Sequence, residues 1–472
     1  MKTRFIIFLI WIVLSTTTKA RSADSIQVPQ LVFELPIFDL PYQIDAAKTV
    51  NGGDASLGGF FKGYANPSMH QSLNLSTDLY TGLHFGIDRL FKLENRLDIK
   101  EWKFGKRFLY YMSFYSLDFV SVYAPGFDGW EHEEYHRAVM SRFHVNSFND
   151  MNRFPLGSEL ISVNNISDED LIRFKKESPT DFIRMHAAGI EGEYLLVDQL
   201  QRNNFYYNQH LFHEYIYLFT TLNSIMYVQI CSDPNQVDVL TDDMNSVEES
   251  IPKRDFTGLD FTAWTYDLFR PDEPYTDRGI HPLGNGIDRY IKTSDLTSYQ
   301  RAYLKKQGAL QWLNVISPMM LGFRSIKLSR NGLYGNFSIR NYLTSFGNDI
   351  SCNIFLKSPE YKVFFGYHSY QNYHNLFPAI EAQLLDYKKK IGDCLLNVSP
   401  RILIGLQPLN QGFKTEKAAF LGLAECKVEW QTKGIMHPYV EISAKSKGWI
   451  AGNEFLDENL SFRFGIISRI NK

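Results

Sequence analysis

After about Leu333 the sequence breaks into short runs of alternating character: "NFSIRNYLTS", "DISCNIFLKS", "YKVFFGYHSYQ", "AIEAQLLDYKK", "CLLNVSPRILIGLQP", "KAAFLGLAECKVEWQT", "HPYVEISAKSKGW" and "LSFRFGIISRI". Turn-forming Gly, Asn, Asp, Lys or Pro separate them. Successive side chains of a strand point to opposite faces. In the last run Leu460, Phe462, Phe464 and Ile466 therefore share one face, and Ser461, Arg463 and Gly465 the other. In "PYVEISAKS", Val440, Ile442 and Ala444 oppose Glu441, Ser443 and Lys445 in the same way. A period of two excludes helix, so about eight antiparallel strands with one apolar face are expected here.

The region before these strands has a different period. "FLYYMSFYSLDFVSVYA", from Phe108 to Ala124, is almost continuously apolar and ends at Pro125-Gly126, which predicts a buried or membrane-apposed helix followed at once by a second one. Further helices are expected at 181–202, 210–231 and 297–321, with 232–258 as a solvated loop. Residues 24 to about 100 read as Pro-punctuated, extended and glycine-rich. The first residues, MKTRFIIFLIWIVLSTTTKA, have the basic start, short apolar run and small-residue end of a secretory signal peptide, with cleavage expected near Ala20 or Ala23. The expected division is a signal peptide at 1–20, a mixed and extended segment at 21–105, a helical domain at 106–330 and a strand domain at 331–472. The fold class is α+β.

A formal charge of −3 with scattered Lys and Arg leaves no basic footprint for nucleic acid, and that partner class is excluded. The four cysteines, Cys231, Cys352, Cys394 and Cys426, form no C-x-x-C, so neither a zinc knuckle nor a disulfide framework is indicated. Aromatic residues make up 15% of the chain, a level that suits membrane-interface surfaces as well as an aromatic-rich core.

The stretch with the most chemistry is "GWEHEEYHRAVM", in which His132, Glu133 and His136 spell H-E-x-x-H. Residues four apart share a helix face, so the two imidazoles can meet one metal ion while Glu133 reaches a water beside it. The competing reading is a solvated helix in which Glu131, Glu134 and Arg137 surround the motif and Glu133 pairs with Arg137. Apolar residues flank the motif on both sides, and this favours the metal.

At this point the segment resembles zinc metallopeptidases of the zincin type. The metzincin pattern would need His at the position of Arg142, and the inverted motif would need Glu at Tyr135. What remains is a gluzincin-like arrangement, in which a later helix supplies a Glu. "HAAGIEGEYLLVDQ" is the best source, because Ala187, Ala188, Gly189 and Gly192 let that helix approach another backbone closely. Glu193 lies on the small-residue face, with Glu191 as the alternative. The acid that many gluzincins place four residues after the ligand is absent, since Leu195 and Val197 stand there and Asp198 misses it. The resemblance implies Zn2+ held by His132, His136 and Glu193, with Glu133 as the general base. His186, the pair His210 and His213 with Glu214, and His281 are lesser candidates, each equally readable as a packed or turn residue.

The strand region, by its alternation, resembles an outer-membrane-type β-barrel of about eight strands. It departs from that pattern at its end, which is Arg-Ile-Asn-Lys where such barrels commonly place an aromatic residue. A soluble barrel or sandwich shares the alternation. Together the resemblances imply an exported hydrolase in the outer membrane or periplasm of a Gram-negative-type envelope, acting on a protein or peptide. The alternative is a non-enzymatic barrel protein for transport, assembly or scaffolding, with a structural or vestigial metal site.

Overall fold

A computed structural model describes residues 30–49, 66–93, 96–123, 127–152, 163–247 and 250–471. The expected signal peptide lies outside the described residues. The described chain opens with β1 (Gln30–Leu40), α1 (Tyr42–Lys48), α2 (Met69–Leu90), α3 (Phe104–Tyr123) and α4 (Phe127–Arg142). A small ribbon of β2 (Phe148–Asn149) and β3 (Val163–Asn164) precedes α5 (Asp168–Glu177) and α6 (Pro179–Tyr206). Then come α7 (Glu214–Ile230), α8 (Pro234–Val247), α9 (Asp260–Phe269) and α10 (Ser298–Leu310). The strands follow: β4 (Ile326–Lys327), β5 (Tyr334–Thr344), β6 (Gly347–Lys357), β7 (Lys362–Gln371), β8 (Leu376–Leu385), β9 (Tyr387–Ile391), β10 (Cys394–Pro408), β11 (Ala418–Gln431), β12 (Met436–Lys445) and β13 (Asn459–Asn471). The fold is α+β.

Seven of the eight alternating runs are each one strand and "AIEAQLLDYKK" spans two, β8 and β9; the pairing is antiparallel throughout the large sheet. Its order is β1-β13-β12-β11-β10-β8-β7-β6-β5-β4, with β9 paired to β10. The closed barrel expected from the sequence is corrected here: the sheet has two ends, β1 and β4, and they do not pair. The free edges are satisfied by other means. Glu34 N–H on β1 donates to both carboxylate oxygens of Asp78 on α2, at 3.1 and 2.9 Å. On β5, Ile339 N–H donates to Ile316 C=O (2.9 Å), and Asn341 N–H donates to the Asn314 side chain (2.9 Å). Helical elements thus stand where closing strands would pair. β1 was expected to belong to a separate N-terminal segment, yet it joins β13 along its whole length.

The sheet is curled around α6. Lys427 on β11 reaches across to Glu34 on β1 (2.7 Å), and Arg469 on β13 reaches Asp386 beyond β8 (2.9 Å). The first pair joins strands that are not neighbours in the sheet, and the second joins β13 to the residue between β8 and β9. The first half of α6 packs in the helical cap, and its second half runs inside the curl, where the Tyr206 hydroxyl donates to Val363 C=O on β7 (2.7 Å). A polar cavity of about 220 Å³ lies there, lined by charged residues of α2, α6 and the strands.

The helix hairpin expected around Pro125-Gly126 is α3 followed by α4, and the small-residue helix is α6. Three readings are corrected. Within the segment read as extended and glycine-rich, Met69–Leu90 form the 22-residue helix α2, opened by a capping box at Ser68 and Gln71. Part of the expected loop 232–258 is the helix α8, and a helix absent from the sequence reading, α9, follows it. Its apolar residues Phe261, Trp264 and Leu268 are buried at helical spacing.

Candidate metal centre

The helix that carries the opening motif is buried. Glu131, Glu134 and Arg137 are almost fully enclosed, and Arg137 donates to both oxygens of Glu134 at 2.6 and 2.7 Å. The pairing expected for a solvated helix, Glu133 with Arg137, is replaced by this interior pair. A buried ion pair needs its remaining lone pairs satisfied, and Asn149 supplies a further donor to Glu134 (2.9 Å). The polar character of α4 is therefore an interior feature that frames the motif.

α6 passes α4 at its glycines. A Cβ on Gly189 would fall onto the His132 ring, and one on Gly192 would come within 2.9 Å of the Tyr135 ring. These two positions tolerate no side chain because the imidazole and the phenol occupy that space. The close approach brings Glu193 to His132, with the carboxylate 2.8 Å from Nδ1. The other Glu193 oxygen is hydrogen-bonded to the Ser224 hydroxyl on α7. His136 Nδ1 is 2.5 Å from Met185 C=O. Both rings therefore have Nδ1 fixed by an acceptor, which turns Nε2 toward a common point.

Asp260, the first residue of α9, stands at that point. Its Oδ2 is 3.3 Å from His132 Nε2 and 3.4 Å from His136 Nε2. One ligand atom from each of the three residues lies within 4.8 Å of the others. Asp260 is delivered by the turn "DFTGLD": Asp255 accepts N–H bonds from Phe256 (2.8 Å) and Gly258 (2.9 Å), and Gly258 takes φ +75°. The left-handed conformation suits glycine, and the chain then enters α9 with its Asp facing the histidines.

The electrostatics favour a cation. Burial works against a charged His132, but hydrogen bonds to Asp260 and Glu193 outweigh it and raise its pKa well above the ordinary imidazole value. Burial also opposes ionisation of Asp260, yet His136 and His132 hold it well below the carboxylate range. Asp128, Glu131, Glu133 and Asp255 are each pushed upward, in every case by burial first. Burial thus biases these four toward their neutral forms, and Asp260 is the carboxylate held ionised beside the two imidazoles.

The residues present fit zinc. Two imidazole nitrogens and one carboxylate oxygen are the donor set of a catalytic zinc, and both histidines have the supporting acceptor that such ligands use. His136 Nε2 is buried and makes no hydrogen bond of ordinary geometry; what faces it is Asp260 Oδ2 at 3.4 Å. Among the described residues the cluster consists of these three residues. The His132 side chain is 12% exposed, against 1% for His136, so the approach to the cluster is on the His132 side. Glu133 is half-buried on the same helix, close enough for His132, His136 and Asp260 to influence its titration.

The structure puts Asp260, not the expected Glu193, in the cluster with His132 and His136; Glu193 lies behind His132, on its Nδ1. Glu191 is elsewhere: it pairs with Arg184 (2.9 Å) and accepts from Gly452 N–H (2.8 Å) and the Trp449 indole (3.2 Å). His186 binds Asp267 (2.9 Å) in a separate buried network with Lys175 and Arg278. His213 packs on His84, which meets Asp118 (2.7 Å), and Glu214 pairs with Arg324 (2.6 Å). Neither His210 nor His281 joins the cluster. The signal for Asp260 was present in "GLDFTAWTYDLF", where an acid follows a glycine turn and opens a short apolar helix. No protein-family model, curated protein or solved structure matches this chain.

Proposed function

We propose that the chain is an exported, zinc-dependent metallopeptidase acting on protein or peptide substrates in a Gram-negative-type envelope. The observation that carries this reading is the convergence of His132 Nε2 and His136 Nε2 on one oxygen of Asp260, with each Nδ1 fixed from behind. His132, His136 and Asp260 would hold the ion. Glu193, which the zincin resemblance makes a ligand, instead positions His132 through Nδ1. Zinc, when bound there, supplies Lewis acidity toward a carbonyl and makes water a nucleophile near neutral pH. Glu133 takes the proton from the attacking water and gives it to the leaving amine. Its half-buried carboxyl, raised in pKa by burial, suits a group that must hold and release a proton.

A non-enzymatic envelope protein with a structural metal site is the second reading. Structural zinc is closed by four protein ligands, whereas the described cluster offers three, so the cluster favours catalysis. The test uses purified full-length chain, elemental analysis and a mixed peptide library. Glu133→Gln is expected to keep zinc and to hydrolyse about 100- to 10,000-fold more slowly. His132→Ala and His136→Ala are expected to lose both zinc and hydrolysis. Hydrolysis by Glu133→Gln at the parent rate would remove the mechanism, and zinc binding without any hydrolysis by the parent chain would favour the second reading.

A further inference from the structure

The inward face of the curled sheet is mixed: Asn353, His368, Glu381, Glu441 and Arg463 are buried there beside core residues such as Phe355, Leu403 and Leu421. The outward positions are apolar and exposed: Ile354, Phe365, Ile380, Ile404, Phe420 and Ile442 come from six different strands. On β10 the outward positions stay apolar from Leu396 to Leu406, and transmembrane strands need about 9–11 residues. Such a face turned to water would be an aggregation surface. It encircles a curled sheet, so one flat partner protein could not cover it.

The gap between the sheet's two ends is filled by helices whose outer faces are also apolar. α2 covers the β1 edge, α3 packs on α2 through His84–Asp118 and Tyr110–Asp88, and α7 packs on α3 through Tyr115 and Phe219. α7 returns to the sheet through Glu214–Arg324 at the start of the strand region. No helix among the described residues is apolar enough to cross a membrane alone. On α3 Tyr110, Phe114 and Asp118 are fully buried on the inward face, while Phe108, Leu109, Met112, Tyr115, Phe119 and Val120 are exposed. From Phe104 to Val120 the helix rises about 24 Å at 1.5 Å per residue, with the exposed Lys106 and Arg107 in its first turn. The apolar band of outer-membrane barrels is about 25 Å tall.

We propose that the outward face of the sheet together with the outer faces of α2, α3 and α7 forms one lipid-facing wall, seated among the acyl chains of a bilayer. Backbone edges exposed to lipid are not tolerated, and here they are sealed by Asp78 on β1 and by Asn314 and Ile316 on β5. The helices take the place of missing strands. This inference stands independently of the metal centre.

The test places nitroxide spin labels on the full-length chain in phosphatidylcholine vesicles, after replacement of Cys352, Cys394 and Cys426 by Ser. Labels go on Ile404→Cys in β10, Met112→Cys in α3 and, as a water-exposed control, Lys306→Cys in α10. Labels at 404 and 112 are expected to collide several-fold more with oxygen than with a water-soluble nickel chelate, and the label at 306 to show the reverse. Nickel access at 112 equal to that at 306 would overturn the proposal, whether or not 404 is in lipid. If the Met112 variant fails to fold, Ser116→Cys on the same exposed face replaces it, with the same two outcomes.

Discussion

Gly189 is the residue on which the proposed metal centre turns. Its missing Cβ is the space that the His132 ring occupies, so Gly189→Ala is expected to push the ring off Glu193 and Asp260. Overpacking of this kind costs about 1–3 kcal/mol of stability. The expected signature is a modest fall in melting temperature with a much larger loss of zinc affinity, read by calorimetry and by competition with a chelating dye. Unchanged affinity would mean that the ring position does not matter. Glu193→Gln tests the supporting role: affinity is expected to fall about 10- to 100-fold, the usual effect of losing a second acceptor behind a ligand. At this scale the sequence was partly legible. Four-residue spacing placed His132 and His136 together, and the glycines marked where α6 would pass. It named Glu193 as a ligand and did not name Asp260; the two carboxylates both reach His132 and differ in which nitrogen they face.

At the scale of elements, α9 was the omission with consequences. A 10-residue helix with three spaced apolar side chains is short for a periodicity signal, and the surrounding Asp, Glu and Lys residues read as loop. Yet α9 supplies Asp260 to the cluster and, two turns on, Asp267 to His186, Lys175 and Arg278. Burial opposes the charge on Asp267, but Arg278, His186 and Lys175 outweigh it and depress its pKa well below the ordinary value. A depressed carboxylate stabilises the fold above the unfolded-state pKa, and that stability is lost as pH falls. Acid unfolding is therefore expected to steepen below about pH 4. Asp267→Asn, which leaves buried cations unpaired, is expected to cost about 3–5 kcal/mol near neutral pH. The gap between parent and variant should shrink as the pH drops, measured by urea unfolding at several pH values. A gap that does not change with pH would show that the network is not ionised.

Across the whole molecule, the eight strands were legible because alternation with a period of two admits few other structures. Closure was not legible, since it depends on what meets the two end strands, and β1 comes from a segment far away in the chain. The polarity of the two faces was visible in "LSFRFGIISRI", but which face turns outward is decided by α6 lying inside the curl. The same helix links sheet and site: its first half holds Gly189 and Glu193 beside the histidines, and its second half fills the polar interior. The site therefore sits in the cap on a rigid support. Its composition is tested most directly by zinc K-edge absorption and elemental analysis of the purified full-length chain, compared with Asp260→Ala and Glu193→Ala. One zinc per chain with imidazole and carboxylate ligands is expected, abolished by Asp260→Ala and only weakened by Glu193→Ala. A parent chain without zinc, or a Glu193→Ala chain that loses its zinc while Asp260→Ala keeps it, would contradict the assignment.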